Sequence, residues 1–315
     1  MKHMRFGVIG NDQMLLSCLQ YLQQREGAEI CFVLYDTERM NPMNPIDVFC
    51  ANNNLPATGI RKLHTPETVE MIRTSRPDCI LSINNFWVIR QEILDIPSFA
   101  TVNFHNAVPG CYHGLNIPSW VIMNGEKSHG SMWHLVEQGI DTGDVLKFET
   151  FPVTGRDTAA SLMVKCIRKG IDMFPAVIDQ LFSKELTRLP QQPGASYYGR
   201  KDYPESGGYI NFELSPESID RLVRGLNYMP FANPYLYAKI RWNNREVIVN
   251  AVETGDPERG VLPGTVLSVD DDEISIQCAD GRITITDAMD ENLEECVGFD
   301  LAQRLGIKPG DRLAG

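Results

Sequence analysis

Nowhere in the 315 residues do about 18 uncharged apolar residues run together, so no segment reads as a membrane-spanning helix. Met1 to Met4 lead straight into the strand-like Arg5–Ile9 without an apolar leader core, and a cytoplasmic chain with no membrane partner is expected. Positive charge is scarce. With 29 Lys+Arg against 41 Asp+Glu the net charge is −12, which argues against a broad basic face and therefore against a nucleic-acid partner. The eight cysteines (18, 31, 50, 79, 111, 166, 278, 296) form no C-x-x-C pair, and neither a disulfide framework nor a metal site is expected. Internal repeats and low-complexity tracts are missing too. So is the G-x-S-x-G turn that would expose a nucleophilic serine, which favours direct transfer over a covalent enzyme intermediate.

What is present is a βαβ rhythm. Short Val/Ile/Phe-rich runs at Phe6–Ile9, Ile30–Leu34, Cys79–Ile83, Thr101–Phe104, Met132–Val136 and Val145–Phe151 alternate with segments of helical period. A doubly wound, mostly parallel α/β sheet follows. Thr65-Pro66-Glu67 marks one helix start, and Asp157-Thr158 opens an amphipathic run to about Phe182. Residues 189–204, rich in proline and glycine, read as a linker between a domain at 1–188 and another at 205–315. Ser215-Pro216-Glu217 starts a helix through Leu226. Five short runs follow (Leu236–Trp242, Glu246–Ala251, Thr265–Val269, Ile274–Cys278, Arg282–Thr286), as in a small β-rich, barrel-like domain. From Arg200 onward there are 12 Lys+Arg against 21 Asp+Glu, a net of −9.

Gly7-Val8-Ile9-Gly10 lies between a strand and the helix-like Asp12–Gln24, but the third glycine of a dinucleotide loop is missing and Asp36 is the one candidate ribose acid. It reads as a plain strand-to-helix turn. The richer constellation runs from Asn103 to Asp144. In an extended chain Asn103 and His105 face one way and Phe104 the other, at the carboxyl end of a strand, where open α/β sheets bind ligands. The loop Pro109–Gly114, the segment Pro118–Met123, the strand Met132-Trp133-His134 and the acidic turn Gly139-Ile140-Asp141-Thr142-Gly143-Asp144 follow. Amide, imidazole and carboxylate together suit a site that stabilises a carbonyl oxyanion and moves a proton.

Read as N-x-H, a Pro/Gly loop with Tyr-x-Gly, P-x-x-W, His-Gly-x-x-Trp-His and G-I-D-T-G-D, this run resembles the formyltransferases that use 10-formyltetrahydrofolate. The second half is similar to their C-terminal domain, and Leu222–Leu226, Pro230–Pro234 and Pro263–Leu267 look like formyltransferase domains of nonribosomal peptide and polyketide synthetases. The resemblance implies Asn103, His105 and Asp141 as the catalytic trio, with protonated His105 and Asn103 donating to the oxyanion and Asp141 supporting the imidazolium. It implies that Phe86, Trp87, Val88 and Ile89, through free backbone groups, together with Gly139, Ile140, Asp141 and Asp144, hold 10-formyltetrahydrofolate. Two departures concern the loop: Asn106-Ala107-Val108-Pro109 replaces Ser-Leu-Leu-Pro, and His113 replaces an arginine. The stretch Tyr35–Asn44 lacks the basic insertion of the tRNA enzymes.

The acceptor is expected to be a small-molecule amine or a carrier-protein-bound aminoacyl group, with a nucleotide-linked amino sugar as the alternative. Tyr228, Phe231, Asn233 and Tyr235 would face it, with Arg224 the nearby cation, in a pocket bordered by His113 and the 109–114 loop. Methionyl-tRNA formylation, hydrolysis of the formylated folate and a non-catalytic folate-binding module are further alternatives. His113 and His129 read as exposed loop histidines, Trp120 and Met123 as core residues, and Asp270–Glu273 as a solvated hairpin turn.

Overall fold

The computed structural model describes residues 3–38, 45–191 and 196–313. Met1, Lys2, residues 39–44 of the Tyr35–Asn44 stretch and residues 192–195 of the predicted linker lie outside the described residues. The chain divides into two compact units. One contains Leu115–Ser128, Pro152–Val164 and the described residues from Tyr198 on, and the other contains the rest. Two segments of the first 188 residues therefore group with the second unit, and the division falls inside one long helix.

Along the first unit run β1 (Met4–Gly10), α1 (Asp12–Gln24), β2 (Ala28–Asp36), α2 (Pro45–Asn52), β3 (Ala57–Ile60), α3 (Pro66–Thr74), β4 (Cys79–Ile83), α4 (Gln91–Leu94) and β5 (Ala100–His105). The two-residue strand β6 (His113–Gly114), β7 (Ser128–Leu135), β8 (Val145–Pro152), α6 (Ala159–Ser183) and the two-residue β9 (Tyr197–Tyr198) follow, while α5 (Ile117–Met123), between β6 and β7, belongs to the second unit. Seven strands form one sheet in the order β3-β2-β1-β4-β5-β7-β8. β1 to β5 pair in parallel, and β7 lies antiparallel to β5. Because order reverses between β1 and β4, the carboxyl ends there form a topological switch point. Covered on both faces, the central strands are apolar almost throughout. Phe6 and Val8 of β1 pack with α1 and α6, while Ile9 joins the opposite layer with Ile72 of α3 and Ile93 of α4.

Local chemistry fixes the element starts. The Thr65 hydroxyl accepts from the Thr68 N–H with Pro66 in the first turn of α3, so one orphan donor is satisfied where proline costs nothing. At Gly10 a Cβ would sit 2.0 Å from the Ile83 carbonyl oxygen. Glycine there is a packing requirement, and beyond it Asn11 accepts from the Asp36 N–H and donates to Asn84 O. The expected strand-to-helix turn is what forms.

The second unit carries α7 (Pro216–Leu226), β10 (Lys239–Trp242), β11 (Arg245–Gly255), β12 (Val266–Val269), β13 (Ile274–Gln277), β14 (Arg282–Met289) and α8 (Gly298–Leu305). Its five strands make one antiparallel sheet, β10-β11-β14-β13-β12, closed over a core with α7 and α8. Ser215 caps α7 ahead of Pro216, as its sequence predicts. α5 lies against α7 where Gly225 leaves room for Met123 and the Ser119 carbonyl, so Met123 packs in this unit's core. Trp120 is half-buried and stacks on Tyr198, with ring centroids 4.1 Å apart. The acidic run Asp270–Glu273 joins β12 to β13, with the Asp270 N–H bonded to Glu273 O as a hairpin turn requires. Among the described residues no helix is long and apolar enough to cross a membrane.

Candidate active site

Asn103 stands beside Ser82 of β4 and His134 of β7 in strand register, and its side chain uses both neighbours. The Ser82 hydroxyl donates to Asn103 Oδ1 at 2.7 Å, and Asn103 Nδ2 lies 3.0 Å from His134 Nε2. His134 Nδ1 is 2.7 Å from the Leu135 carbonyl, which only accepts, so the ring proton sits on Nδ1 and Nε2 receives the Asn103 N–H. One amide N–H of Asn103 is left for a ligand.

Buried His105 obeys the same logic. Its Nε2 is 2.9 Å from the Tyr112 carbonyl and therefore carries the proton, leaving Nδ1 without a hydrogen-bond partner among the described residues. Asp141 completes the group: Oδ2 is 3.6 Å from His105 Nε2 and Oδ1 is 3.6 Å from His134 Nε2. The Gly114 N–H donates to Asp141 Oδ2 at 3.1 Å. Asp141 has φ of +55° and Gly139 +137°, so the turn uses a backbone region that suits glycine and tolerates aspartate. Thus three residues separated by up to 38 positions in the chain converge on one strand end.

The electrostatics of the pair run in opposite directions. Burial pushes the His105 pKa down and outweighs the upward pull of Asp141 and the Tyr112 carbonyl, with His134 and His113 adding to the lowering. For Asp141 burial opposes ionisation, yet the two imidazoles and the Gly114 N–H overcome it and hold the carboxyl well below its usual range. A carboxylate thus stands beside an imidazole whose charging burial opposes, and the Gly114 N–H stabilises the anion whatever the state of His105. Burial therefore favours the neutral ring over the imidazolium expected from sequence.

Other predicted residues fall differently. The Asp144 side chain pairs with Arg188 at 3.7 Å. Phe86 and Val88 are exposed, Trp87 is half-buried and Ile89 is buried in the core. The backbone of this segment is not an open row of donors and acceptors. Asn85 takes both the N–H and the C=O of Trp87, and His64 Nε2 lies 2.7 Å from Val88 O. Ile140, on the acidic turn, is exposed.

His129 and His113 are not the exposed loop residues expected. His129 is 1% exposed on β7, with Nε2 2.9 Å from the Asn106 carbonyl, and burial pushes its pKa down to about 4. The loop after β5 folds back over it. His113 is half-buried, its N–H bonds Ser196 O at 2.7 Å, and its Nε2 is buried without a partner among the described residues. Seven of the eight cysteines are buried or half-buried and unpaired, but Cys111 is exposed. Among the described residues no His/Cys/Asp/Glu cluster could hold a metal ion.

An amide with a spare N–H, a buried imidazole and a carboxylate meet at the end of a doubly wound sheet, an arrangement that can stabilise a carbonyl oxyanion and move a proton. The chain belongs to the formyl transferase family, whose N-terminal domain it matches over residues 8–178 and whose C-terminal domain it matches over 205–304. It is a formyltransferase using formyl-tetrahydrofolate. Over 312 residues it is 28% identical to the methionyl-tRNA formyltransferase of Acetivibrio thermocellus, covering 97% of this chain and 95% of that one. In structure it resembles the sugar 3N-formyltransferase WlaRD, with a TM-score of 0.68 and 19% identity over 92% of this chain and 98% of that one. It also resembles HypX from Aquifex aeolicus, with a TM-score of 0.63 and 19% identity over 96% of this chain but only 49% of HypX. These likenesses confirm the fold class expected from sequence.

Proposed function

We propose that Asn103, His105 and Asp141 carry the transfer, and that the acceptor is a small or carrier-bound primary amine. The residues present suit a folate donor. Exposed apolar side chains at Phe86, Val88 and Ile140 offer surface for a flat ring, and the side chains of Asn103 and Asp141 offer polar groups. The donor supplies an electrophilic formyl carbonyl. The spare N–H of Asn103 stabilises the oxyanion. Nδ1 of neutral His105 takes the proton as the amine attacks, and Asp141, 3.6 Å from Nε2, stabilises the resulting imidazolium. A base with a lone pair at rest suits an amine nucleophile better than a ring already protonated. The family matches at 8–178 and 205–304 support a catalytic domain at 1–188, a linker at 189–204 and a second domain at 205–315.

For the acceptor the carrying observation is the state of the cations in the second unit. Arg224, Lys239, Arg241, Arg304 and Arg312, five of the 12 lysines and arginines counted there, face carboxylates. That pairing, with the net of −9 from Arg200 onward, supports a non-tRNA acceptor although the curated relatives are named for methionyl-tRNA. Arg224 grips Asp220 through two nitrogens, which also weighs against the diphosphate of a nucleotide-linked amino sugar. The aromatic and amide residues predicted to face the acceptor are mostly committed. Tyr228 is buried against Ser119, Asn233 donates to the carbonyls of Leu226 and Leu236, the Tyr235 hydroxyl donates to Asp202 O, and Phe231 alone is exposed. Exposed Phe231, with Arg224 committed to Asp220, favours an amino acid or an aminoacyl thioester on a carrier protein. The test is a competition with 10-formyltetrahydrofolate at about 150 mM salt among amino acids, aminoacyl carrier proteins, nucleotide-linked amino sugars and methionyl-tRNA. Preferential formylation of either of the last two would overturn the acceptor assignment and leave the folate chemistry intact.

A further inference from the structure

Two loops support the proposed trio, and one side chain joins them. The first loop follows β5 and supplies the Tyr112 carbonyl to His105 and the Gly114 N–H to Asp141. The second is the turn Gly139–Asp144, whose backbone runs through positive φ at Gly139 and Asp141. Gln191, half-buried and 50 residues beyond Asp141, reaches both. Its Nε2 donates to the carbonyls of Asp141 and Gly143, each at 2.8 Å, and its Oε1 accepts from the Gly110 N–H at 3.2 Å.

We propose that Gln191 is a positioning residue that ties the acidic turn to the loop and thereby sets where the Asp141 carboxylate stands relative to His105. The inference rests on the roles assigned above to His105 and Asp141. The chemistry of the amide matches the task. Two carbonyls of one turn need two donors, and the Gly110 N–H needs an acceptor, and a terminal amide supplies all three from one planar group. A glutamate would turn a carboxylate toward two carbonyl oxygens, and a lysine or arginine would offer nothing to Gly110. Gly143 adds a constraint, since a Cβ there would lie 2.0 Å from the Leu135 carbonyl, so the turn cannot be re-anchored by a side chain at that position. Its geometry is held from outside, by Gln191.

Because Asp141 is the anion facing His105, while His134 and His113 face it as further imidazoles and the Tyr112 carbonyl as a dipole, a looser turn should lower the His105 titration midpoint. The experiment is an NMR titration of the histidine ring signals in the full chain, with His105 assigned from the spectrum of His105→Gln. Asp141→Asn sets the scale and should lower the His105 midpoint by about one pH unit or more. Gln191→Leu, of similar volume but with no hydrogen bonds, should lower it in the same direction by about half as much, while the His3 and His64 signals stay in place. A side chain that merely stabilised the fold would leave the midpoint unmoved. Should Gln191→Leu fail to fold, Gln191→Asn, one methylene too short to span both loops, carries the same expectation. An unchanged midpoint in a folded Gln191 variant, with Asp141→Asn shifted, overturns the proposal for Gln191. An unchanged midpoint in Asp141→Asn removes the premise and the proposal with it. No acceptor is needed, so a wrong acceptor assignment is told apart from either result.

Discussion

Asp141 and Glu246 are both carboxylates held well below their ordinary range, and the contrast between their surroundings separates a reaction site from a surface network. Glu246, on β11, accepts from Arg241, from Tyr209 at 2.8 Å and from Lys239 at 3.1 Å, and the hydrogen bond from Arg241 is the largest cause of its pKa of about 2. Two of its three partners, Arg241 and Lys239, are cations reaching into solvent. Asp141 faces two imidazoles and a peptide N–H in a site where His134 is 2% exposed, and burial works against its charge. An arginine partner neutralises an acid for good. An imidazole partner leaves a proton that can move, and burial keeps the water away that would otherwise screen its movement. A lowered carboxylate pKa is therefore a poor sign of function until the partner and its burial are known.

The largest effects should come from breaking the first cluster. If Nδ1 of His105 is the base, His105→Ala should cut kcat about 10²–10⁴-fold, the range for a positioned acid or base. Asn103→Ala should cost about 10²–10³-fold, as the loss of one oxyanion donor does. Folate affinity, read by tryptophan fluorescence, should stay within a few-fold in both, since the interactions removed form mainly in the transition state. Turnover close to wild type in either variant would show that the convergence at the end of β5 is structural, like the Glu246 network.

A second prediction sharpens the comparison through pH. The depressed pKa of His105 places the acid limb of kcat/KM below the ordinary imidazole value of 6.5, since activity requires the neutral ring and is lost as pH falls through the folded-state pKa. His129, next to the same loop, gives the stability counterpart. Its folded pKa of about 4 lies under the ordinary imidazole value of 6.5, so on acidification the unfolded chain takes up a proton before the native state does. Stability conferred by the neutral ring is thus complete above pH 6.5 and declines between 6.5 and 4. By pH 5 that decline amounts to roughly 2 kcal/mol at 1.36 kcal/mol per unit. His129→Gln should shrink the difference between urea-unfolding free energies at pH 7 and pH 5, and an unchanged difference would mean that the ring is not held neutral.

Much of this was readable beforehand because it is local. Caps at Thr65 and Ser215, apolar runs at β1, β2, β4 and β5, and the same-face spacing of Asn103 and His105 need only neighbours in sequence. β3, the four residues Ala-Thr-Gly-Ile, has no alternation to reveal it and forms only because β2 offers an edge. The strand expected from Leu236 begins at Lys239, because Asn233 holds the Leu236 carbonyl in a turn. Gln191 sat in what reads as a linker, and its three partners are from 48 to 81 residues away. The same holds for His129 and Asn106, joined across a folded loop, and for Asn85, whose capture of Trp87's backbone depends on how β4 ends. Residue types announced the chemistry at the site. Hydrogen-bond partners, which decide tautomer and charge, came only with the fold.

The smallest effect should come from the second cluster, where Glu246→Gln removes the charge shared by Arg241, Lys239 and Tyr209. Taken at face value its lowered pKa implies considerable stabilisation, but the network is open to solvent, with the Glu246 side chain 29% and that of Arg241 56% accessible. Screening and the ordering of two long side chains reduce exposed pairs to less than about 1 kcal/mol. The glutamine still accepts from Tyr209 and Arg241, so part of the geometry survives. The midpoint of urea unfolding should therefore move little, by less still in high salt, and kcat should not change. A large loss of stability or of turnover would mean that the surface network acts as the buried one does, and the distinction drawn between Asp141 and Glu246 would fail.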